Sequence, residues 1–150
     1  MKHAITALTI LAASSGMALA AGDAEAGKKI FNQCQTCHVV ADPDGNVLAG
    51  KNAKTGPNLY GIIGRPAASY EGFKYGDGIK EAAAKGLVWD EANLTVYVQD
   101  PTKFLDEFTG NPKLKSKMVF KVKKEEDAAN VAAFLASLSP AAGEAPAATE

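Results

Sequence analysis

The chain has 150 residues, a length that predicts one domain, and its 16 lysines and arginines nearly balance its 17 aspartates and glutamates. A formal net charge of −1 at pH 7 argues against a nucleic-acid partner, because nucleic-acid binding favours a basic surface. Beyond the N-terminal 20 residues, no stretch is apolar enough to span a bilayer.

The first 20 residues are typical of a secretory signal peptide. A short polar start precedes an apolar run over 4–13, and Ala18-Leu19-Ala20 forms a small-x-small cleavage site. An uncleaved anchor is the alternative, but spanning a bilayer takes about 20 strongly apolar residues, and this stretch contains serines, glycine and many alanines. We predict cleavage after Ala20 and export. Because only Lys2 is lost, the mature chain keeps 15 basic and 17 acidic side chains.

The run Cys34-Gln35-Thr36-Cys37-His38 has the C-x-x-C-H spacing by which c-type haems are attached. Residues three and four apart share a face of a helical turn, so both thiols can meet one porphyrin and His38 can reach its iron. A redox dithiol prefers a thioredoxin-like setting, which the chain lacks. A closed zinc site wants four ligands and usually a second cysteine pair. We therefore predict one covalent haem c, with its iron, at Cys34 and Cys37.

Short helices separated by long loops are predicted along the rest of the chain. The first covers 23–34, where Gly27 suggests the close approach of another helix. Asp44-Gly45, between two valine-containing segments, predicts a tight turn or small hairpin. Asp100-Pro101 ends one helix and starts the next. The further helices are predicted at 77–85, 90–99, 101–108 and 125–138.

The chain ends in a segment of different composition. Residues 139–150 are rich in alanine, proline and glutamate without periodicity, which predicts a disordered tail. This leaves a domain at 21–138, and its short elements would bury only a modest core. A haem at the centre would supply the missing apolar surface.

Three segments together, Cys34–His38, Thr55–Arg65 and Lys117–Phe120, resemble class I c-type cytochromes. The chain is most similar to the bacterial cytochrome c2 family, relatives of mitochondrial cytochrome c, in order over 23–138. The resemblance implies an all-α cytochrome c fold, in which short helices and long loops wrap one covalent haem. Insertions relative to the mitochondrial form are expected around 42–50 and 108–115.

The same resemblance assigns roles to individual residues. His38 would be the proximal iron ligand and Met118, the only methionine left after cleavage, the second axial ligand. The carbonyl of Pro57 would accept the other imidazole N–H of His38. The remaining expected haem neighbours are Arg65, Tyr75, Trp89 and Ser116 at the propionates, Tyr97 beside Met118, and Phe120 over the exposed edge. Gly27 and Phe31 would pack on Val131, Phe134 and Leu135 of the last helix.

The function implied by the resemblance is that of a soluble periplasmic one-electron carrier, not an enzyme. A cytochrome bc complex would donate the electron, and a photosynthetic reaction centre or a terminal oxidase or reductase would accept it. A ligand-binding haem protein, with Met118 as core packing, is one alternative. A haem subunit of a larger redox enzyme is another.

A run of lysines brackets Met118 and contains no acidic residue. A charged run of this kind is usually a solvated loop. Lysines around a haem edge, however, would steer the approach of an acidic redox partner. We expect a monomer that docks through this lysine run, which consists of Lys113, Lys115, Lys117, Lys121, Lys123 and Lys124.

Overall fold

Residues 22–140, which the computed structural model describes, form five helices and one two-stranded hairpin joined by long loops. In chain order the elements are α1 (Ala24–Phe31), β1 (Val39–Ala41), β2 (Val47–Gly50), α2 (Asp77–Ala84), α3 (Glu91–Gln99), α4 (Pro101–Thr109) and α5 (Glu125–Ser137). The predicted all-α class with long loops is confirmed. The predicted signal peptide and the chain from residue 141 onward lie outside the described residues.

Helices α1 and α5 cross at Gly27, where the sequence predicted the close approach of another helix. A Cβ atom at Gly27 would overlap the backbone carbonyl of Asn130 and lie 2.8 Å from Cβ of Phe134. The ring of Phe31 packs on that of Phe134, with centroids 5.5 Å apart. The Asn130 side chain also accepts the backbone N–H of Asp23 at 2.7 Å. The first and last helices therefore close on one another through a contact that only glycine permits.

Helix α1 ends three residues earlier than the sequence predicted. From Asn32 onward, the N–H groups of three successive residues bond three positions back, ending with Cys34 to the Phe31 carbonyl at 2.8 Å. Such bonds tighten the last turn of a helix and end its regular progression. The segment 32–37 is consequently a series of turns, and the two cysteines lie on it instead of on α1.

The junction of α3 and α4 follows the predicted capping. Asp100 accepts the N–H of Lys103 at 3.2 Å, and Pro101 occupies the first position of α4. Val98 and Phe104 are buried on either side of the junction. Aspartate before proline thus ends α3 and starts α4.

The C-terminal boundary differs from the prediction by two residues. Ser139 was placed in the tail, but its hydroxyl donates to the Leu135 carbonyl at 3.0 Å and accepts the N–H of Ile63 at 3.4 Å. A Cβ at Gly61 would lie 3.5 Å from the ring of Pro140. Tertiary contacts with the 61–63 loop, which composition cannot reveal, keep these residues on the folded body. No helix within residues 22–140 is both long and apolar enough to cross a bilayer.

Candidate haem site

The two cysteines and His38 are presented by consecutive turns. The N–H groups of Cys37 and His38 both donate to the Cys34 carbonyl, at 3.0 and 2.9 Å. Both thiols are free and partly buried. Burial, assisted by the neighbouring Cys37, raises the pKa of the Cys34 thiol to about 11. The Cys34 thiol is thus neutral at physiological pH, and Cys37 and His38 follow it on the next turn.

The orientation of the His38 ring is set from outside its own turn. Its Nδ1 lies 2.9 Å from the carbonyl oxygen of Pro57. A carbonyl can only accept, so Nδ1 carries the proton and Nε2 keeps its lone pair. Burial lowers the pKa of the ring, which favours this neutral form. Gly56 allows the approach, because a Cβ there would lie 2.6 Å from Nδ1 and 2.8 Å from Nε2.

The segment 56–60 is bonded along its length to the residues that follow the cysteine motif. Gly56 donates its N–H to the Cys37 carbonyl at 2.7 Å, and Leu59 donates to the Val39 carbonyl at 2.9 Å. Between them, the Asn58 side chain accepts the N–H of Ala41 at 3.0 Å and donates to its carbonyl at 2.7 Å. Backbone and amide groups together fix the Pro57 carbonyl opposite His38.

Met118 lies in the irregular segment between α4 and α5 and packs partly buried against the core. Its backbone N–H donates to the Ser116 hydroxyl at 3.1 Å. The same hydroxyl lies 3.3 Å from the Tyr97 hydroxyl, and the Ser116 N–H donates to the Thr102 hydroxyl at 3.2 Å. Ser116, which was predicted at a haem propionate, therefore joins the Met118 backbone to Tyr97, the residue predicted beside Met118.

The aromatic residues of the predicted site fall into two groups. Trp89, which is 5% exposed, packs against Tyr97 and Phe104, with ring centroids 4.8 and 6.0 Å away. Burial raises the pKa of the Tyr97 hydroxyl. Tyr75 belongs to a separate loop, where it packs on Phe73 at 4.8 Å and its hydroxyl accepts a backbone N–H.

Arg65 is a half-buried cation without a carboxylate partner. Its guanidinium donates to the carbonyls of Tyr60 and Asn58, at 3.0 and 2.9 Å. None of the ion pairs within residues 22–140 involves it. Burial lowers its pKa, with Tyr75 and Tyr70 acting in the opposite direction. A buried charge is stable when it is paired, so this side chain suits an anionic group of a ligand.

The chemistry of these donors fits a haem better than the alternatives. Two thiols, an imidazole with a free Nε2 and a thioether are the groups that hold a c-type haem. Among residues 22–140, no cluster of three or more histidine, cysteine, aspartate and glutamate side chains could hold a metal ion. Phe120, 40% exposed, lies at the surface two residues after Met118.

The lysine run is not uniform. Nζ of Lys117 donates to the Lys74 carbonyl at 2.8 Å, and its stem lies against Gly76. Lys121 pairs with Asp100 at 2.7 Å. Lys115 donates from Nζ to the Pro112 carbonyl at 3.3 Å. Three of the six predicted docking lysines are thus already bonded within the molecule. The other three, Lys113, Lys123 and Lys124, are exposed and form no ion pair within residues 22–140.

Three residues with evident structural roles at the site were missed from the sequence. Gly56 and Asn58 lie within the Thr55–Arg65 segment on which the resemblance depended, so their signal was present. The third, Asp100, was recognised only as a helix cap. Its second role depends on Lys121, 21 positions away, for which the sequence gives no local signal.

Comparison with known proteins shows which family the chain is similar to. Residues 24–139 match the family model described as Cytochrome c. Cytochrome c2 of Cereibacter sphaeroides is 58% identical over 138 residues, which cover 90% of this chain and 95% of the relative. Cytochrome c-550 of Paracoccus pantotrophus is 56% identical over 124 residues, 81% of this chain and 90% of that protein.

Solved structures agree in fold. The crystal structure of cytochrome c2 from Rhodobacter sphaeroides has a TM-score of 0.76 at 62% identity and covers 78% of this chain and 96% of that one. Ferric cytochrome c-550 from Paracoccus versutus has a TM-score of 0.75 at 54% identity, with coverages of 79% and 99%. The resemblance inferred from three short segments is confirmed in both sequence and fold.

Proposed function

The chain belongs to the cytochrome c family, in its cytochrome c2 group, and from this premise we propose that it carries single electrons in the periplasm through a haem with His38 and Met118 as axial ligands. Membership of the family makes it an electron carrier with one covalent haem c, not an enzyme. When bound, haem c supplies a one-electron couple, its iron alternating between the ferrous and ferric states.

The observation that carries the proposed ligation is the 2.9 Å contact between His38 Nδ1 and the Pro57 carbonyl. Bonding one ring nitrogen to a carbonyl fixes the tautomer and leaves the other nitrogen free to bind a metal. Cys34 and Cys37, on the preceding turn, would each form a thioether to the same haem. The Pro57 carbonyl thus fixes the orientation and tautomer of His38, and Nε2 would be the atom that binds the iron.

Met118 is proposed as the second ligand. It is the only methionine within residues 22–140, and a methionine is more often a gap-filler in a core. Here it lies outside any helix, with its N–H fixed by Ser116 next to the buried Tyr97 hydroxyl. With protein ligands on both sides, no position remains for a substrate. A ligand-binding haem protein would usually need a distal histidine or arginine, and His38 is the only histidine among the described residues.

Charged and polar groups around the site are proposed to hold the haem propionates. Arg65 has the strongest support, since its guanidinium is half-buried and pairs with no carboxylate within residues 22–140. Tyr75, Trp89 and Ser116 complete the proposed set. The Ser116 hydroxyl would donate a hydrogen bond to the propionate, because its oxygen already accepts the N–H of Met118. Phe120 would cover the exposed haem edge.

Location and partners follow from the same proposal. Export through the 1–20 signal peptide would deliver the mature domain, 21–138 with its tail, to the periplasm as a soluble monomer. A cytochrome bc complex would reduce it, and a reaction centre or a terminal oxidase or reductase would oxidise it. The lysine run supplies positive charge on both sides of Met118, which suits an acidic partner.

The ligation is tested by the absorption spectrum of the ferric protein. We expect the weak red band of iron–thioether ligation, and no binding of carbon monoxide to the ferrous protein at neutral pH. Met118→Ala should abolish the band, admit carbon monoxide and lower the reduction potential. Val119→Ala, at the adjacent residue that is 84% exposed, is the matched control and should change none of these. Ready binding of carbon monoxide by the wild-type protein would show that the site is open.

Docking is tested by charge reversal at lysines that are free of internal bonds. Lys113→Glu and Lys124→Glu should slow bimolecular electron transfer at low salt and flatten its dependence on ionic strength, without altering the spectrum. Helix α2 is unsuitable for the control, because Gly76 at its N-terminus adjoins Lys117. Lys28→Glu on α1 is preferable. An equal effect of Lys28→Glu would show that the lysine run acts only through the net charge of the protein.

Export is tested by intact-mass measurement of the purified holoprotein. We expect a chain starting at Ala21 or Gly22, recovered from the periplasmic fraction. A mass that retains residues 1–20, together with recovery from membranes, would instead identify an anchored carrier.

A further inference from the structure

The end of helix α3 holds the Met118 segment at three points. The Tyr97 hydroxyl contacts the Ser116 hydroxyl at 3.3 Å. The Val98 carbonyl accepts the N–H of Val122 at 2.9 Å. At the α3–α4 junction, Asp100 accepts from Nζ of Lys121 at 2.7 Å. These contacts bracket the proposed ligand, one before it and two after it.

Asp100 joins two parts of the molecule through separate oxygens. Oδ1 accepts the N–H of Lys103 and so caps α4, at 3.2 Å. Oδ2 accepts from Lys121. The hydrogen bond from Lys121, followed by that from Lys103, lowers the pKa of the Asp100 carboxyl, so this carboxyl is ionised at neutral pH. A carboxylate already fixed by a helix N-terminus offers Lys121 a rigid partner.

We propose that Asp100 and Lys121 form a positioning pair that holds the segment 117–121 closed and so keeps Met118 seated for ligation. The inference rests on the proposed role of Met118 as ligand. The pair also separates Lys121 from the lysines available for docking, because the charge of Lys121 is paired with Asp100 at the α3–α4 junction.

The expected strength follows from exposure. The side chains of Lys121 and Asp100 are 51% and 36% exposed, and exposed pairs contribute modestly, so breaking this one should raise the open fraction of the segment about two- to fivefold. Salt screens such pairs, and the effect should therefore shrink as ionic strength rises. Val122 is 6% exposed and would keep the C-terminal end of the segment anchored, which confines the change to the residues around Met118.

The test is titration of the ferric holoprotein with imidazole, which binds the iron only when Met118 has left it. Imidazole in its neutral form is chosen so that the changed protein charge does not itself alter its binding. Lys121→Gln and Asp100→Asn should each raise the apparent imidazole affinity about two- to fivefold at low salt. Asparagine is also a good N-cap, so the second variant removes the charge while keeping the cap of α4.

Three further variants make the result specific. The double variant should bind imidazole no more tightly than either single variant, because both remove one interaction. Lys121→Arg should restore the wild-type affinity. Lys28→Gln, which removes the same charge from an exposed position on α1, should have no effect.

The outcomes separate the inference from its premise. If Lys121→Gln and Asp100→Asn match Lys28→Gln in imidazole affinity, the positioning pair is disproved while the red thioether band still supports Met118 as ligand. Additive effects in the double variant would likewise overturn it. Absence of the red band from the wild-type protein would refute the ligation itself.

Discussion

The two proposed axial ligands are held in contrasting ways. On the His38 side, the segment 56–60 is tied to 37–41 by backbone bonds and by the amide of Asn58. On the Met118 side, a single backbone–backbone bond, from Val122 to the Val98 carbonyl, ties the segment 116–122 to the rest of the described chain. The other hydrogen bonds of this segment involve side chains. Two of them, those donated by Lys117 and Lys121, are exposed.

This difference teaches which side of the site can move. We expect the two backbone bonds and the Asn58 amide that hold the segment 56–60 to open as one unit, whereas the side-chain hydrogen bonds around Met118 can open one at a time. We therefore infer that His38 stays fixed while Met118 is the ligand that can be displaced. Variants on the two sides should consequently differ in kind: those near His38 should lower global stability, and those near Met118 should change access to the iron.

The largest effect is expected for Gly56→Ala. The added methyl group would lie 2.6 Å from His38 Nδ1, so either the ring or the Pro57 carbonyl must shift. Overpacking of this kind against fixed groups should lower the free energy of unfolding by about 3 kcal/mol. Denaturant unfolding of the holoprotein, together with the yield of covalently loaded protein, measures it.

Gly76→Ala is the matched control on the Met118 side. The new Cβ would lie 3.0 Å from Cγ of Lys117, part of a flexible side chain, and the backbone at Gly76 has φ −77°. A change within about 0.5 kcal/mol is expected. Equal losses from the two glycine substitutions would contradict the distinction between a fixed and an adjustable side.

A smaller loss is expected for Asn58→Ala. Its side chain makes three hydrogen bonds, two with Ala41 and one from the N–H of Tyr60 at 3.0 Å. Because these groups are only partly buried and water replaces part of each bond, their loss should lower the free energy of unfolding by about 2 kcal/mol. Imidazole affinity should stay unchanged. Asn46→Ala, which removes one exposed side-chain bond to Asp42 in the hairpin, is the control and should be much milder.

The smallest change in stability, with a distinct change in ligand access, is expected for Ser116→Ala. The Met118 N–H loses its acceptor and Tyr97 its hydroxyl partner. About 1 kcal/mol of local stabilisation should be lost, which raises apparent imidazole affinity about fivefold. Ser69→Ala, which removes a hydroxyl bond to the Pro66 carbonyl, provides the comparison. If Ser116→Ala lowers global stability as Asn58→Ala does, the Met118 side is as fixed as the other.

Much of the fold could be predicted because its signals are local. Asp100 and Pro101 set a helix boundary by their own chemistry. Gly86, with φ +85°, ends α2 in a conformation that favours glycine. The spacing of the five-residue C-x-x-C-H motif is enough by itself to predict a c-type haem.

The remainder depends on contacts between distant segments. The early end of α1 arises from the tightening of its last turn, which periodicity does not register. Lys121 gives no local sign that it belongs to Asp100, and composition placed Ser139 in the tail although it bonds to Ile63. The roles proposed for Met118, Arg65 and the aromatic residues came from family resemblance, and they remain predictions.

The crossing of α1 and α5 has a consequence for how the molecule is made. The Asn130 amide that accepts the Asp23 N–H is 107 residues away in sequence, so the contact that docks α1 can form only after the last helix has been synthesised. In a chain that still lacks α5, we therefore expect Cys34 and Cys37 to follow an undocked helix. A chain ending before Glu125 should keep both thiols fully reactive towards an alkylating reagent. The position of the last helix in the sequence thus sets the earliest moment at which the first helix can dock.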